Sequence, residues 1–177
     1  MIVISDTSPI IFFAKIGNLT LLKDLYLKIF VPNAVWEELI HPLSKPDGKV
    51  PPDIKYEIKA KEEGWLIVKD PEKKEYHEVA LNLTKELGRG EAYAIALSLE
   101  LNADLLLIND KKARIIAESK GIKTKWSSEV LLDALEKGII KDYQEFNELL
   151  DKMINIGLWM EKTQYKTLLD KANELKK

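Results

Sequence analysis

Two periodicities alternate along the chain. Short continuous apolar runs, suited to strands covered on both faces, are separated by longer stretches whose apolar residues recur every three or four positions, as on one side of a helix. The clearest example is 88–114, GRGEAYAIALSLELNADLLLINDKKAR. Ala92, Ile95, Ala96 and Leu99 mark a helix over 89–101, and Asn102 ends it. Leu105 to Ile108 predicts a buried strand. Asp110 follows and opens another helix, Lys111 to Lys120.

The same alternation runs through the rest. Ile2 to Ser5 predicts a first strand. Ser8 and Pro9 precede the apolar run Ile10 to Ile16, which predicts a helix capped by Ser8 with Pro9 in its first position. Leu19 to Leu25 predicts a short helix and Ile29 to Val31 a second strand. Pro32 starts a helix through Val35, Trp36, Leu39 and Ile40 that carries Glu37 and Glu38 and stops at His41-Pro42. Residues 44–52, SKPDGKVPP, read as a loop. A charged helix over Ile54 to Glu63, an edge strand over Trp65 to Val68 and a helix over Glu72 to Leu87 follow, with Gly64 and Gly88 as stops. Ile122 to Trp126 predicts the last strand, and Ser127 caps a helix ended by Gly138. From Asp142 onward the pattern is helical only, with Leu158, Trp159 and Met160 joining two segments.

Strands alternating with helices specify an α/β chain: a three-layer α/β/α fold around a central parallel sheet of about five strands. The expected division is a domain over 1–140 and a C-terminal helical extension over 141–177, packed on the domain or on a partner. In such a sheet, strand C-terminal ends and helix N-terminal ends share one edge, where ligands bind.

Composition narrows the chemistry. The chain of 177 residues contains no cysteine, which excludes disulfides, thiolate metal sites and a cysteine nucleophile. Two histidines, His41 and His77, make a poor zinc set. No apolar run reaches the ~20 residues of a bilayer span, and the N-terminal MIVISDTSPIIFF reads as strand and helix rather than a signal peptide. The expected compartment is the cytoplasm. Net charge is −2, and the 27 basic residues include only Arg89 and Arg114 as arginines. The Lys/Glu bias is of the kind thermophile proteins carry, although AT-rich coding produces a similar lysine excess.

Four carboxylates fall at favoured places: Asp6 after the first strand, Glu38 on the third helix, Glu91 in the first turn of a helix, and Asp110 after the buried strand. Each alone has an ordinary explanation as a turn residue, a solvated face, a dipole complement or an N-cap. Together, Asp6, Glu91 and Asp110 meet at one sheet edge by topology. Clustered carboxylates repel one another, and a hard divalent cation relieves the repulsion. Oxygen-only ligands suit Mg²⁺ or Mn²⁺, which bind phosphates and orient water for displacement at phosphorus.

The pieces IVISDTSPI, VPNAVWEEL and GRGEAYAIALSLELNADLLLINDKKAR, in this order, resemble the PIN-domain ribonucleases over most of residues 1–140. The resemblance is closest to an archaeal and bacterial subgroup related to the VapC-type toxins of toxin–antitoxin pairs. It implies a PIN-like fold and a metal-dependent endoribonuclease that leaves 5′-phosphate and 3′-hydroxyl ends. It implies that Asp6, Glu38, Glu91 and Asp110 are catalytic, with Asp6, Glu91 and Asp110 holding Mg²⁺ or Mn²⁺. Ser8 matches the small polar residue that supports the first acid. Asn109 is a departure, standing where relatives often have a second acid, which weakens a second metal site and leaves one or two metals open; Ile108 stands where many toxins have Thr. Glu37 is the alternative to Glu38 if the register differs by one.

Arg89, Lys111, Lys112 and Arg114 flank the acids and are candidates for contacting an RNA backbone. The implied partners are an RNA substrate, an antitoxin protein and further copies of the chain in a homodimer or higher oligomer. Trp159, the least explained tryptophan, is assigned to an oligomer or antitoxin contact. Two other readings stand beside the toxin: a PIN-fold module that binds RNA or protein without cutting, and an RNA-processing nuclease outside any toxin pair.

Overall fold

In the computed structural model of the protein, residues 1–44 and 51–175 are described. The first strand, β1 (Val3–Ser5), sits at the centre of a five-stranded sheet and is followed by α1 (Thr7–Lys15) and α2 (Thr20–Tyr26). Next come β2 (Ile29–Val31), α3 (Asn33–Ile40), a short 3-10 turn over His41–Ser44, α4 (Ile54–Glu62) and β3 (Leu66–Val68). A helical hairpin, α5 (Lys74–Leu83) and α6 (Arg89–Glu100), leads back to β4 (Leu105–Leu107). The chain continues through α7 (Lys111–Ser119), β5 (Thr124–Lys125), α8 (Ser127–Glu136), α9 (Tyr143–Asn155) and α10 (Lys162–Leu175). Most of the loop read over 44–52 lies outside the described residues.

All strands are parallel, in the order β3-β2-β1-β4-β5. The chain builds outward from β1 to β3, then returns to the other side of β1. The reversal between β1 and β4 is the topological switch point, where the connecting loops part and leave a crevice. Register is set by burial. Val3 pairs with Leu105 and Ser5 with Leu107, and Val3 and Leu107 join a core with α1, α2, α8 and α9. Ile4 and its partner Leu106 point the other way, into a second core with Ile95 and Leu97 of α6 and Ala113 and Ala117 of α7. Continuous apolar strands are thus covered on both faces, as a parallel sheet requires. The result is the expected three-layer α/β/α fold. Phe146, Leu149, Leu150 and Met153 of α9 and Ala172 of α10 belong to the first of these cores.

Several helix boundaries differ from expectation, some set by neighbouring residues and some by distant groups. The first helix begins at Thr7 with Asp6 as its N-cap, not at Ser8. Pro9 is tolerated in the third helical position because the first-turn N–H groups have no helical acceptors. The helix expected from Glu72 starts at Lys74, and the Glu100 carboxylate accepts from the N–H groups of Glu72 and Lys73 at 2.8 Å each. Trp126 rather than Ser127 is the N-cap of α8; the Glu129 carboxylate reaches back to its N–H at 2.8 Å. Asp70 accepts from the backbone N–H of Asn33 at 2.8 Å and from its side-chain amide at 2.7 Å, fixing the start of α3.

Candidate active site

The crevice at the switch point is a cleft of about 580 Å³. Asp6, Glu38, Glu91 and Asp110 all line it, as do Ser8 and Asn109. Asp6 is the most deeply placed, at 5 % exposure. Its own N–H donates to the carbonyl of Leu107 at 3.0 Å, so the residue is fastened to β4 as well as to β1. Burial pushes its carboxyl up to about 7; the N–H groups of Thr7 and Ser8 oppose the shift, and the charges of Glu91 and Glu38 add to it. Burial also raises Glu91, with the Gly88 N–H opposing and the charges of Asp110 and Glu38 contributing. The four acids therefore share one electrostatic environment.

Each of the other acids is held by groups of its own neighbourhood. Glu38 accepts a short hydrogen bond from the Thr7 hydroxyl and another from the Gly90 N–H at 3.1 Å. Glu91 folds back to accept from the Gly88 N–H at 2.9 Å, one half of a capping box at the start of α6, since Gly88 has no side chain to supply the other. Asp110 caps α7 by accepting from the Ala113 N–H at 2.7 Å. Glu37 is turned elsewhere, to Arg89 at 2.8 Å, and both partners are largely exposed. Glu38 lines the cleft and Glu37 does not.

Asn109 is committed to a clasp. Its side-chain amide donates to the Ser127 hydroxyl at 2.8 Å and its carbonyl accepts from the Ser127 N–H at 2.9 Å. This ties the end of β4 to the start of α8 at the cleft wall. Of the four cations singled out from sequence, Lys111 lines the cleft and has no ion pair among the described residues. Lys112 instead reaches the Glu86 carbonyl at 3.0 Å. Arg114 binds Glu118 at 2.8 Å and Glu129 at 3.0 Å and lies over the Trp126 ring at 5.1 Å.

Thr7 and Gly90 were not singled out from sequence. Thr7 adjoins Asp6, which is the signal that could have found it. Gly90 matters because a Cβ there would stand 2.8 and 2.9 Å from the Glu38 oxygens, a contact visible only in three dimensions.

The donor set is all oxygen, which fits a hard divalent cation such as Mg²⁺ or Mn²⁺. Among the described residues, no three acidic or histidine side chains are already gathered as a metal cluster. Glu91 and Asp110 are each drawn to a backbone N–H, as mutually repelling carboxylates are expected to be.

A parallel sheet whose switch-point crevice is lined by acids from the end of β1, α3, α6 and the end of β4 makes an α/β domain with an acidic cleft. Comparison with protein families gives the specific assignment: the family DUF3368, a PIN domain, matches residues 2–174, and the chain belongs to it. No curated protein and no solved structure gives a significant match. PIN domains are usually nucleases and generally bind divalent metals.

Proposed function

We propose that this chain is a divalent-metal-dependent endoribonuclease that hydrolyses RNA phosphodiester bonds, and that it is the toxin of a toxin–antitoxin pair related to the VapC-type toxins, acting in the cytoplasm. The observation that carries the reading is the lining of one cleft by four carboxylates, with Asp6 buried and its carboxyl lifted to about 7. Asp6, Glu91 and Asp110 would hold Mg²⁺ or Mn²⁺. A divalent ion there supplies neutralisation of phosphate charge and orientation of water. Glu38, held by Thr7 and Gly90, faces the same space and is available to accept a proton from attacking water. Lys111 supplies the one free cation at the cleft among the described residues, placed to hold a backbone phosphate.

The Asn109 clasp favours one metal over two, because the side chain at the position of a possible further acid is neutral and engaged by Ser127. The same observation supports the second reading, a PIN-fold module that binds RNA without cutting it.

The test is cleavage of a mixed single-stranded RNA pool with Mg²⁺ or Mn²⁺, with EDTA, and with Asp6→Asn or Asp110→Asn protein. Metal-dependent cutting lost in both variants supports the nuclease. RNA binding without cutting, together with no Mn²⁺ uptake by calorimetry, supports the second reading. Growth arrest on expression, relieved by the product of a neighbouring gene, tests the toxin role.

A further inference from the structure

The acidic cleft does not end at its carboxylates. Trp126, Leu158 and Trp159 also line a second cavity of about 480 Å³, between α8 and α10. The two spaces therefore adjoin at these side chains. Trp159 stands at the junction and is 66 % exposed, while its neighbour Leu158 is 5 % exposed and anchors the segment in the core. The turn that displays Trp159 begins at Gly157, whose φ of +111° is a conformation L side chains rarely adopt. The backbone that carries this indole is thus anchored by a buried neighbour and preceded by a glycine.

The second cavity differs from the first in charge. The first is lined by four carboxylates and Lys111. In the second, Arg114 and Lys125 are held in ion pairs with Glu129 and Asp133, which leaves Lys171 as its one cation without an ion pair among the described residues, with Thr163, Gln164 and Thr167 as hydrogen-bonding groups. An exposed aromatic ring beside an unpaired lysine and hydroxyls is a combination that receives single-stranded nucleic acid, whose bases stack and whose phosphates need positive charge. An apolar peptide would find several charged groups to desolvate in the same groove.

The geometry points to a base-binding subsite: an RNA strand whose phosphate lies in the acidic cleft passes over Trp159 into the α8–α10 groove and stacks one nucleobase on the Trp159 indole. The inference rests on the nuclease reading for its ligand class. It assigns Trp159 to substrate binding rather than to an oligomer or antitoxin contact. The cleft alone accommodates the reacting phosphate, and the groove lengthens the site along the strand.

The experiment is equilibrium binding of a randomised single-stranded RNA pool of about 12 nucleotides, a length within the usual footprint of strand-binding sites. It is run with Ca²⁺ in place of Mg²⁺ or Mn²⁺, an oxygen-binding cation that neutralises the cleft, with the full chain, Trp159→Ala and Trp159→Phe. Trp159→Ala should weaken binding about tenfold and Trp159→Phe should retain most of it. Abasic substitution, one position at a time in a bound sequence, should then reveal one position where loss of the base weakens the unaltered protein and leaves Trp159→Ala unaffected. Equal losses for both proteins at every position overturn the subsite. So does unchanged binding by Trp159→Ala. A dimer that becomes monomeric on Trp159→Ala, with RNA binding unchanged, makes the surface a contact between copies. If the unaltered protein binds and cuts RNA while Trp159→Ala behaves identically, only the subsite fails. If it binds no RNA, the subsite and the nuclease reading fail together.

Discussion

Gly90 and Glu38 meet across the packing of α3 on α6. The Gly90 N–H donates to one carboxylate oxygen, and a Cβ at the same residue would fall 2.8 and 2.9 Å from the two oxygens. The glycine is therefore present for close approach and not for a left-handed turn. Gly90→Ala should displace the Glu38 carboxylate while leaving the helix intact, since alanine is the better helix former. The expected result is a fall in RNA cleavage on the order of 10²-fold, the usual scale for misplacing a catalytic group by about 1 Å, with an unchanged thermal transition. Full activity in the alanine variant would remove Glu38 from the reaction.

Adjacent glutamates should separate cleanly. Glu37 makes an exposed ion pair with Arg89, the kind that contributes ~0–1 kcal/mol to stability. Glu37→Gln should leave cleavage within about twofold, whereas Glu38→Gln should abolish most of it. Single-turnover cleavage by the two variants is the comparison. Equal losses would mean that the cleft does not discriminate between them.

Lys111 and Lys112 make a second matched pair. Lys111 lines the cleft, and Lys112 is turned to Glu86. Lys111→Ala should reduce the slope of log affinity for RNA against log salt by roughly 1, the signature of one lost phosphate contact. Lys112→Ala should leave the slope unchanged. A titration series in KCl measures both, and identical slopes for all three proteins would exclude Lys111 from backbone contact.

Glu57 governs a pH dependence away from the site. It lies in α4 at 1 % exposure, and one carboxylate oxygen lacks a hydrogen-bond partner among the described residues. Burial pushes its carboxyl from 4.5 up to about 7, with Asp53 adding to the shift and Lys15 opposing it. The folded chain thus retains a proton that the unfolded chain has already released. Its contribution to stability is full below about 4.5 and is lost as pH rises to about 7. Glu57→Gln should flatten that slope and raise stability above pH 7 by up to roughly 3 kcal/mol. Denaturant unfolding at several pH values reads it, and parallel slopes for the two proteins would contradict the assignment.

The strand–helix alternation and the places of Asp6, Glu91 and Asp110 were legible because they depend on local periodicity and on the topology of parallel sheets. The edge position of the Leu66–Val68 strand was also legible. What escaped was tertiary. Glu100 sets where α5 begins and Asp70 sets where α3 begins, each from a distant part of the chain. No local pattern marks Asp6 as a better cap than Ser8, since both are good capping residues and only the path from β1 decides between them. Thr7, Gly90 and the approach of Trp159 to the acidic cleft arise from packing between segments far apart in sequence.

The hydrogen bond from the Asp6 N–H to the Leu107 carbonyl has a consequence for how the protein loses function on heating. The deepest acid of the cleft is itself a rung between the two central strands. Exchange of that amide with solvent requires the middle of the sheet to part, so it belongs with the slowest-exchanging protons of the chain. Local fraying at the helix ends leaves this acid in place, and the temperature that parts the central strands is the one that displaces it.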